Sequence, residues 1–310
     1  MVDLFQQDGQ LSSANGGTGG ASGLESERSA DAERSATAPV RVIAVTSGKG
    51  GVGKSVLSAN LGLALAQRGR KVLMVDADLA LANLDLMLGM NARSTVKDVL
   101  SNERGLEEVV VSGPEGVCLL PACSGDADLA EMDERRRLTL FNAIDAMEGR
   151  FDTVIVDTGA GIGSNATSFA AAAQQVLVVV TPDPASMADA YAMIKTLAVK
   201  CGVKQMYLAV NMASGPKEAE QVLGRLLGLV DRFLDVSVVP VGFIYRDEAV
   251  LQSVRSCQPL LVRYPAAAVS GAIRGMAGRL LVESPSESGW GGPRLFWKRL
   301  MGLAAQEAVL

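Results

Sequence analysis

The chain has 310 residues, 48% of them hydrophobic but only 4% aromatic, so it can bury a sizeable core and that core must be aliphatic. It carries no histidine, which excludes imidazole zinc sites, Ser-His-Asp triads and imidazole proton shuttles and leaves acid–base chemistry to carboxylates, lysines or water. A net charge of −5 gives no overall electrostatic case for nucleic-acid binding, and none is expected.

The four cysteines, Cys118, Cys123, Cys201 and Cys257, make no CxxC pair and read as small buried hydrophobes in a reducing compartment. The N-terminus lacks the basic and apolar regions of a signal peptide. The longest apolar runs, such as 176–180, fall far short of the ~20 residues that span a bilayer. The expected location is therefore cytoplasmic, with any membrane contact peripheral.

Residues 1–39, rich in Ser, Gly, Ala, Glu and Arg, hold too few apolar groups for a core and read as disordered. From Val40 the texture changes. Strands are expected over 40–46, 72–76, 117–120, 153–157, 176–181, 205–211 and 236–241. Helical patterns over 55–67, 131–147, 186–198, 218–233 and 247–255 fall between them. Continuous apolar strands alternating with helices predict an α/β fold: a doubly wound, mostly parallel sheet with helices on both faces, over 40–283. Residues 284–293 read as a linker, and 294–310 as a separate terminal segment.

The first strand runs into Ser47-Gly48-Lys49-Gly50-Gly51-Val52-Gly53-Lys54-Ser55, which fits G-x-x-x-x-G-K-[ST] between a strand and a helix. Glycines let backbone N–H groups approach phosphate oxygens, and the helix start adds its positive dipole end. Gly48, Lys49, Gly50, Gly51, Val52, Gly53, Lys54 and Ser55 are thus candidate ATP ligands, with Lys54 on the β and γ phosphates and Ser55 on Mg²⁺. The strand at 72–76 ends in Asp76-Ala77-Asp78, beside the ligand crevice of a parallel sheet. Asp76 would support Mg²⁺; Asp78 would orient the attacking water or, alternatively, only cap the next helix. The strand at 153–157 ends in Asp157-Thr158-Gly159-Ala160-Gly161, where Asp157 would hold Mg²⁺ and the glycines would let the backbone move when the γ-phosphate leaves. The strand ending at Asn211 continues Met212-Ala213-Ser214, without the Lys and Asp that read guanine, so ATP is expected over GTP. Asn211 suits adenine, and the loop from Pro240 to Phe243 would close the other side of the base.

In the terminal segment, Phe296, Trp297, Leu300, Leu303 and Ala304 share one broad helical face, with Arg294, Lys298 and Arg299 around the other. That is the composition of an interfacial helix binding an anionic membrane surface; the alternative is a terminal helix packed on the domain.

The extra lysine, Lys49, gives the loop the form K-G-G-x-G-K-[ST]. With DADLALANLDLMLG, VDTGAGIGSNATSF and TPDPASMADAYAMIK, it makes residues 40–283 resemble the deviant Walker A ATPases of MinD/ParA type, within them the flagellar number regulators FlhG and FleN. The resemblance implies a homodimer that closes face to face around two ATP molecules, with Lys49 reaching the partner's nucleotide and acting in catalysis beside Lys54 and Asp78. It implies reversible attachment to the cytoplasmic face of the inner membrane and control of flagellar number and placement. Implied partners are the flagellar GTPase FlhF, flagellar switch proteins or a flagellar transcription activator. The chain departs from the D-Q-A-x-x-L-R start through which such proteins act on FlhF, beginning Met1-Val2-Asp3-Leu4-Phe5-Gln6-Gln7 instead. Two other readings remain: a MinD/ParA-type positioning ATPase for a division site, chromosome or other cargo, and a metal-cluster carrier, whose paired cysteines are missing.

Overall fold

The computed structural model describes residues 40–78, 82–122 and 149–283. The expectations for 1–39, Cys123, the helix at 131–147, the linker and the terminal segment with Phe296, Trp297, Lys298, Arg299, Leu300 and Leu303 lie outside the described residues.

Among the described residues, eight strands form one sheet. They are β1 (Arg41–Ser47), β2 (Val72–Ala77), β3 (Val111–Ser112), β4 (Cys118–Leu120), β5 (Thr153–Ala160), β6 (Gln175–Val180), β7 (Gln205–Ala213) and β8 (Ser237–Tyr245). Their order is β3-β4-β2-β5-β1-β6-β7-β8, and every pairing is parallel except β3 with β4. This is the α/β sheet the alternating pattern predicts. The two-residue β3 was not legible in the sequence.

The helices are α1 (Lys54–Ala66), α2 (Leu84–Leu88), α3 (Val96–Leu100), α4 (Leu106–Val109), α5 (Ser164–Ala172), α6 (Pro184–Val199), α7 (Pro216–Phe233), α8 (Glu248–Arg255), α9 (Leu260–Arg263) and α10 (Ala268–Val282). Strand periodicity sends alternate residues to opposite faces. Ile43 and Val45 of β1 join a core with Leu57, Leu61 and Leu65 of α1 and Ile273 and Met276 of α10. Val42 and Ala44 join the opposite core with Phe169 of α5, Ile194 and Leu197 of α6 and Leu226 of α7. Burial on both sides explains the unbroken apolar strands. Helix α7 lies at the surface and keeps a narrow buried stripe, Ala219, Val222, Leu226 and Val230, at helical spacing.

Strand β8 corrects the sequence reading. It does not end at 241 but runs on to Tyr245, and Pro240 lies inside it, opposite Leu208. Proline survives there because β8 is an edge strand, where an amide can be missing from the ladder. The cysteine reading also needs correction: Cys118 and Cys201 are half-buried against the core, but Cys257 is exposed, in a left-handed turn (φ 48°) after α8.

At the edge of the sheet where β1 and β6 begin, Arg41 and Gln175 fasten the end of α10. Arg41 Nη1 donates to the carbonyls of Leu280 and Glu283, and Gln175 Nε2 donates to the same two at 3.1 and 3.2 Å. A cation on the last carbonyls also complements the helix dipole.

Candidate functional site

The loop between β1 and α1 sits at the carboxyl ends of the strands, where β1 separates β5 and β2 on one side from β6 and β7 on the other. Ligands of open α/β sheets bind at such a reversal. Helix α1 begins at Lys54 on Gly53, which adopts φ 84°, and its first turn holds no acidic residue and no side-chain cap. Its N–H groups and positive dipole end are thereby left to an anion. Two glycines are demanded by contact. A Cβ at Gly48 would lie 2.0 Å from the Asp189 carbonyl oxygen on α6, and one at Gly53 would lie 2.4 Å from Asn211 Nδ2. At these two positions the loop is wedged between α6 and the end of β7, with no room for a side chain.

Lys54 is buried, and its ammonium lies 3.0 Å from Asp157 Oδ1. The same oxygen accepts the Ser58 hydroxyl at 2.7 Å. Asp157 is register partner to Asp76 across β5 and β2, so two buried carboxylates stand side by side. Asp76 accepts backbone N–H bonds from Asp78 (3.1 Å), Asn83 (3.0 Å) and Leu84 (3.0 Å). Burial and the Asp157 charge still push its carboxyl up to about 7. Ser55 lies half-buried in the first turn of α1.

Among the described residues no three carboxylate or thiol groups gather for a metal ion; the site offers the Asp76–Asp157 carboxylate pair with the Ser55 and Ser58 hydroxyls on the adjoining helix. That donor set fits Mg²⁺, which takes one or two carboxylates and fills its remaining positions with water and substrate phosphates. The raised Asp76 carboxyl points the same way, because a shared cation relieves the repulsion between the pair. The Asp78 carboxylate faces β5: a Cβ at Gly159 would lie 3.8 Å from its Oδ1. Strand β5 itself continues past Asp157 to Ala160, and the Gly161 N–H then donates to the Ser47 carbonyl at 2.9 Å. The 157–161 segment is thus tied to the base of the loop.

Lys49 points away from this cluster. Its ammonium pairs with Asp183 Oδ2 at 2.5 Å, with both side chains substantially exposed. Asp183 also caps α6 by accepting the Ala185 N–H. The ion pair raises the Lys49 ammonium above its ordinary range and lowers the Asp183 carboxyl.

Beside Gly53 lies a cavity of about 590 Å³, walled by Val56 and Leu57 of α1, Met212, Tyr245, and Val250 and Val254 of α8. Its apolar lining and its position next to the loop suit a purine base. Asn211 borders it too, but its amide is engaged by the protein: Nδ2 donates to the Val52 carbonyl at 2.7 Å and Oδ1 accepts the Met212 N–H at 2.9 Å. Pro240 does not line the cavity, because β8 extends beyond it; Tyr245, Arg246 and Asp247 take that place. Arg246 Nε donates to the Met212 carbonyl at 3.0 Å, holding Met212 in its left-handed conformation (φ 59°).

The AAA domain family matches residues 40–210. The antiactivator FleN of Pseudomonas aeruginosa is 41% identical over 239 residues, covering 77% of this chain and 85% of FleN. The chain is a member of the MinD/ParA-type ATPase family. The flagellum site-determining protein YlxH of Helicobacter pylori is 34% identical over 269 residues, covering 84% of this chain and 90% of YlxH. The septum site-determining protein MinD of Pyrococcus horikoshii, solved with Mg-ADP, shares the fold with a TM-score of 0.63 and 26% identity, over 78% of this chain and 96% of MinD. As a MinD/ParA-type ATPase the chain brings Lys54, Asp76, Asp78 and Asp157 together under the loop and holds Lys49 apart. Sequence reasoning missed Ser58, Asp183 and the α8 wall of the cavity. A serine one turn into a buried helix and an aspartate before a proline carry no signal of their own until the fold brings them to the loop.

Proposed function

We propose that this protein is an ATP-driven switch that dimerises with ATP, attaches reversibly to the inner membrane and regulates flagellar number and placement. The similarity to FleN and YlxH carries the flagellar part of this reading. The loop geometry supports the nucleotide part. ATP would lay its base in the apolar cavity beside Gly53 and its phosphates over the α1 terminus. Lys54 would exchange the Asp157 carboxylate for phosphate oxygens, and Ser55, Asp76 and Asp157 would hold Mg²⁺, which supplies charge neutralisation for the phosphoryl group. Asp78 would accept a hydrogen bond from the attacking water and so orient it. Among the described residues no helix is long and apolar enough to cross a membrane. Flagellar GTPase FlhF, switch proteins and a flagellar transcription activator are the proposed partners. Flagella counted in a deletion strain test the flagellar reading; a normal count would favour a MinD-type positioning role instead.

Lys49 is assigned to the dimer. Two facing ATP molecules concentrate negative charge, and a lysine from each side offsets it. To cross, Lys49 must leave Asp183, and an exposed pair of this kind holds it only weakly. Lys49→Ala is expected to bind ATP as a monomer with wild-type affinity yet to elute as a monomer with ATP and Mg²⁺ on size-exclusion chromatography. Normal dimerisation by this variant would sink the cross-dimer role.

The segment at 294–310 is proposed as the membrane element. One short amphipathic helix binds a bilayer weakly, whereas two in a dimer gain roughly 100-fold through effective concentration. Pelleting with anionic liposomes should need ATP and should be lost in Trp297→Glu, with ATP binding retained. Equal pelleting of variant and wild type would remove the tail from the mechanism.

A further inference from the structure

We infer that Ser58 is a positioning residue that holds the Asp157 carboxylate while Lys54 changes partner; the inference rests on the reading that the loop binds ATP with Mg²⁺. Three buried groups meet at one atom. Asp157 Oδ1 accepts from Lys54 Nζ at 3.0 Å and from Ser58 Oγ at 2.7 Å, and Lys54, Asp157 and Ser58 are 7%, 1% and 0% exposed. Neither donor uses Oδ2, so the carboxylate keeps an oxygen that these two bonds do not occupy.

The Ser58 hydroxyl has two acceptors in reach, since the Lys54 carbonyl, one turn back on α1, lies at 3.0 Å. A hydroxyl has a single proton to donate. Serines within helices commonly give it to that preceding carbonyl. Here the carboxylate is nearer and charged, and a charge-assisted bond is the stronger of the two.

The consequence appears when phosphate arrives. Lys54 is held at Asp157 by a 3.0 Å ion pair, and turning its ammonium toward a phosphate draws it away from that carboxylate. Asp157 then loses a cation inside a buried cluster where Asp76 already repels it. Ser58 stays, since it sits on the rigid second turn of α1 and its bond does not depend on where the lysine side chain goes. A carboxylate left without either donor would be free to rotate, and that would spoil it as a partner for a divalent cation. A residue that fixes a carboxylate ligand of a metal in this way typically governs affinity by roughly 10-fold or more.

The test titrates Mg²⁺ into the full-length protein with a fluorescent ATP analogue, alongside the same binding measurement in EDTA. Ser58→Ala should raise the Mg²⁺ concentration for half-maximal enhancement about tenfold, with analogue affinity in EDTA unchanged. Ser58→Thr, which restores the hydroxyl, should recover the wild-type midpoint. Ser58→Val against Ser58→Thr repeats the comparison at matched shape, should the alanine variant fold poorly. An unchanged Mg²⁺ midpoint in Ser58→Ala and Ser58→Val overturns the inference. So does an equal loss of binding in EDTA and in Mg²⁺, which would mark general damage to the loop. A wild-type protein that binds no analogue at all would instead overturn the nucleotide reading on which the inference rests.

Discussion

Replacing Lys54 with alanine is expected to lower ATP affinity by about 100-fold or more, the loss that follows when one partner of a buried, hydrogen-bonded charge pair is removed. The lysine has two electrostatic duties. It neutralises Asp157, 3.0 Å away, in a cluster that also contains Asp76. With nucleotide it would turn to the phosphates. Alanine leaves both carboxylates buried without that cation, so the variant should also unfold more easily, by about 3 kcal/mol. These effects separate in experiment. Thermal unfolding of the empty protein reads the first, and titration with a fluorescent ATP analogue reads the second. Added Mg²⁺ should recover part of the stability, because a divalent cation between Asp76 and Asp157 replaces the missing charge, but it should not restore binding. Analogue affinity within a few-fold of wild type would remove Lys54 from the phosphate site.

The architecture was legible because buried parallel strands write themselves as apolar runs, and the loop was legible because its glycines and lysines fall at fixed spacing between a strand and a helix. Contacts that cross the chain were not. Asp183 caps α6 through one carboxylate oxygen, while the other reaches Lys49, 134 residues earlier. The base cavity was misplaced because Pro240 looks like the end of a strand. Only the edge position of β8 lets the strand run through a proline to Tyr245. Asn211 was assigned to the base as the expected last residue of its strand, yet β7 runs on to Ala213 and the Asn211 amide secures the loop backbone at Val52. Local pattern announces the element; it does not say which neighbour uses up a side chain.

Asp78→Ala is expected to slow ATP turnover roughly 100-fold, a reasonable share for one group that guides proton and water in the transition state, and to leave ATP binding intact. The carboxylate lies at the exit of β2, facing Gly159 at the end of β5, while Lys54, Ser55, Asp76 and Asp157 are the residues proposed to hold the phosphates and cation. Removing it would take away the group proposed to orient water without touching those proposed to hold nucleotide, so an ATP-bound dimer is expected to persist. Single-turnover phosphate release and size-exclusion chromatography with ATP and Mg²⁺ should show slow release together with a long-lived dimer. The competing role for Asp78 is to cap the segment that follows. Asparagine separates the two, since it caps a helix about as well as aspartate but carries no charge. If the charge orients water, Asp78→Asn turns over as slowly as Asp78→Ala. If capping is the whole role, Asp78→Asn hydrolyses ATP at the wild-type rate, and the water-orienting assignment falls.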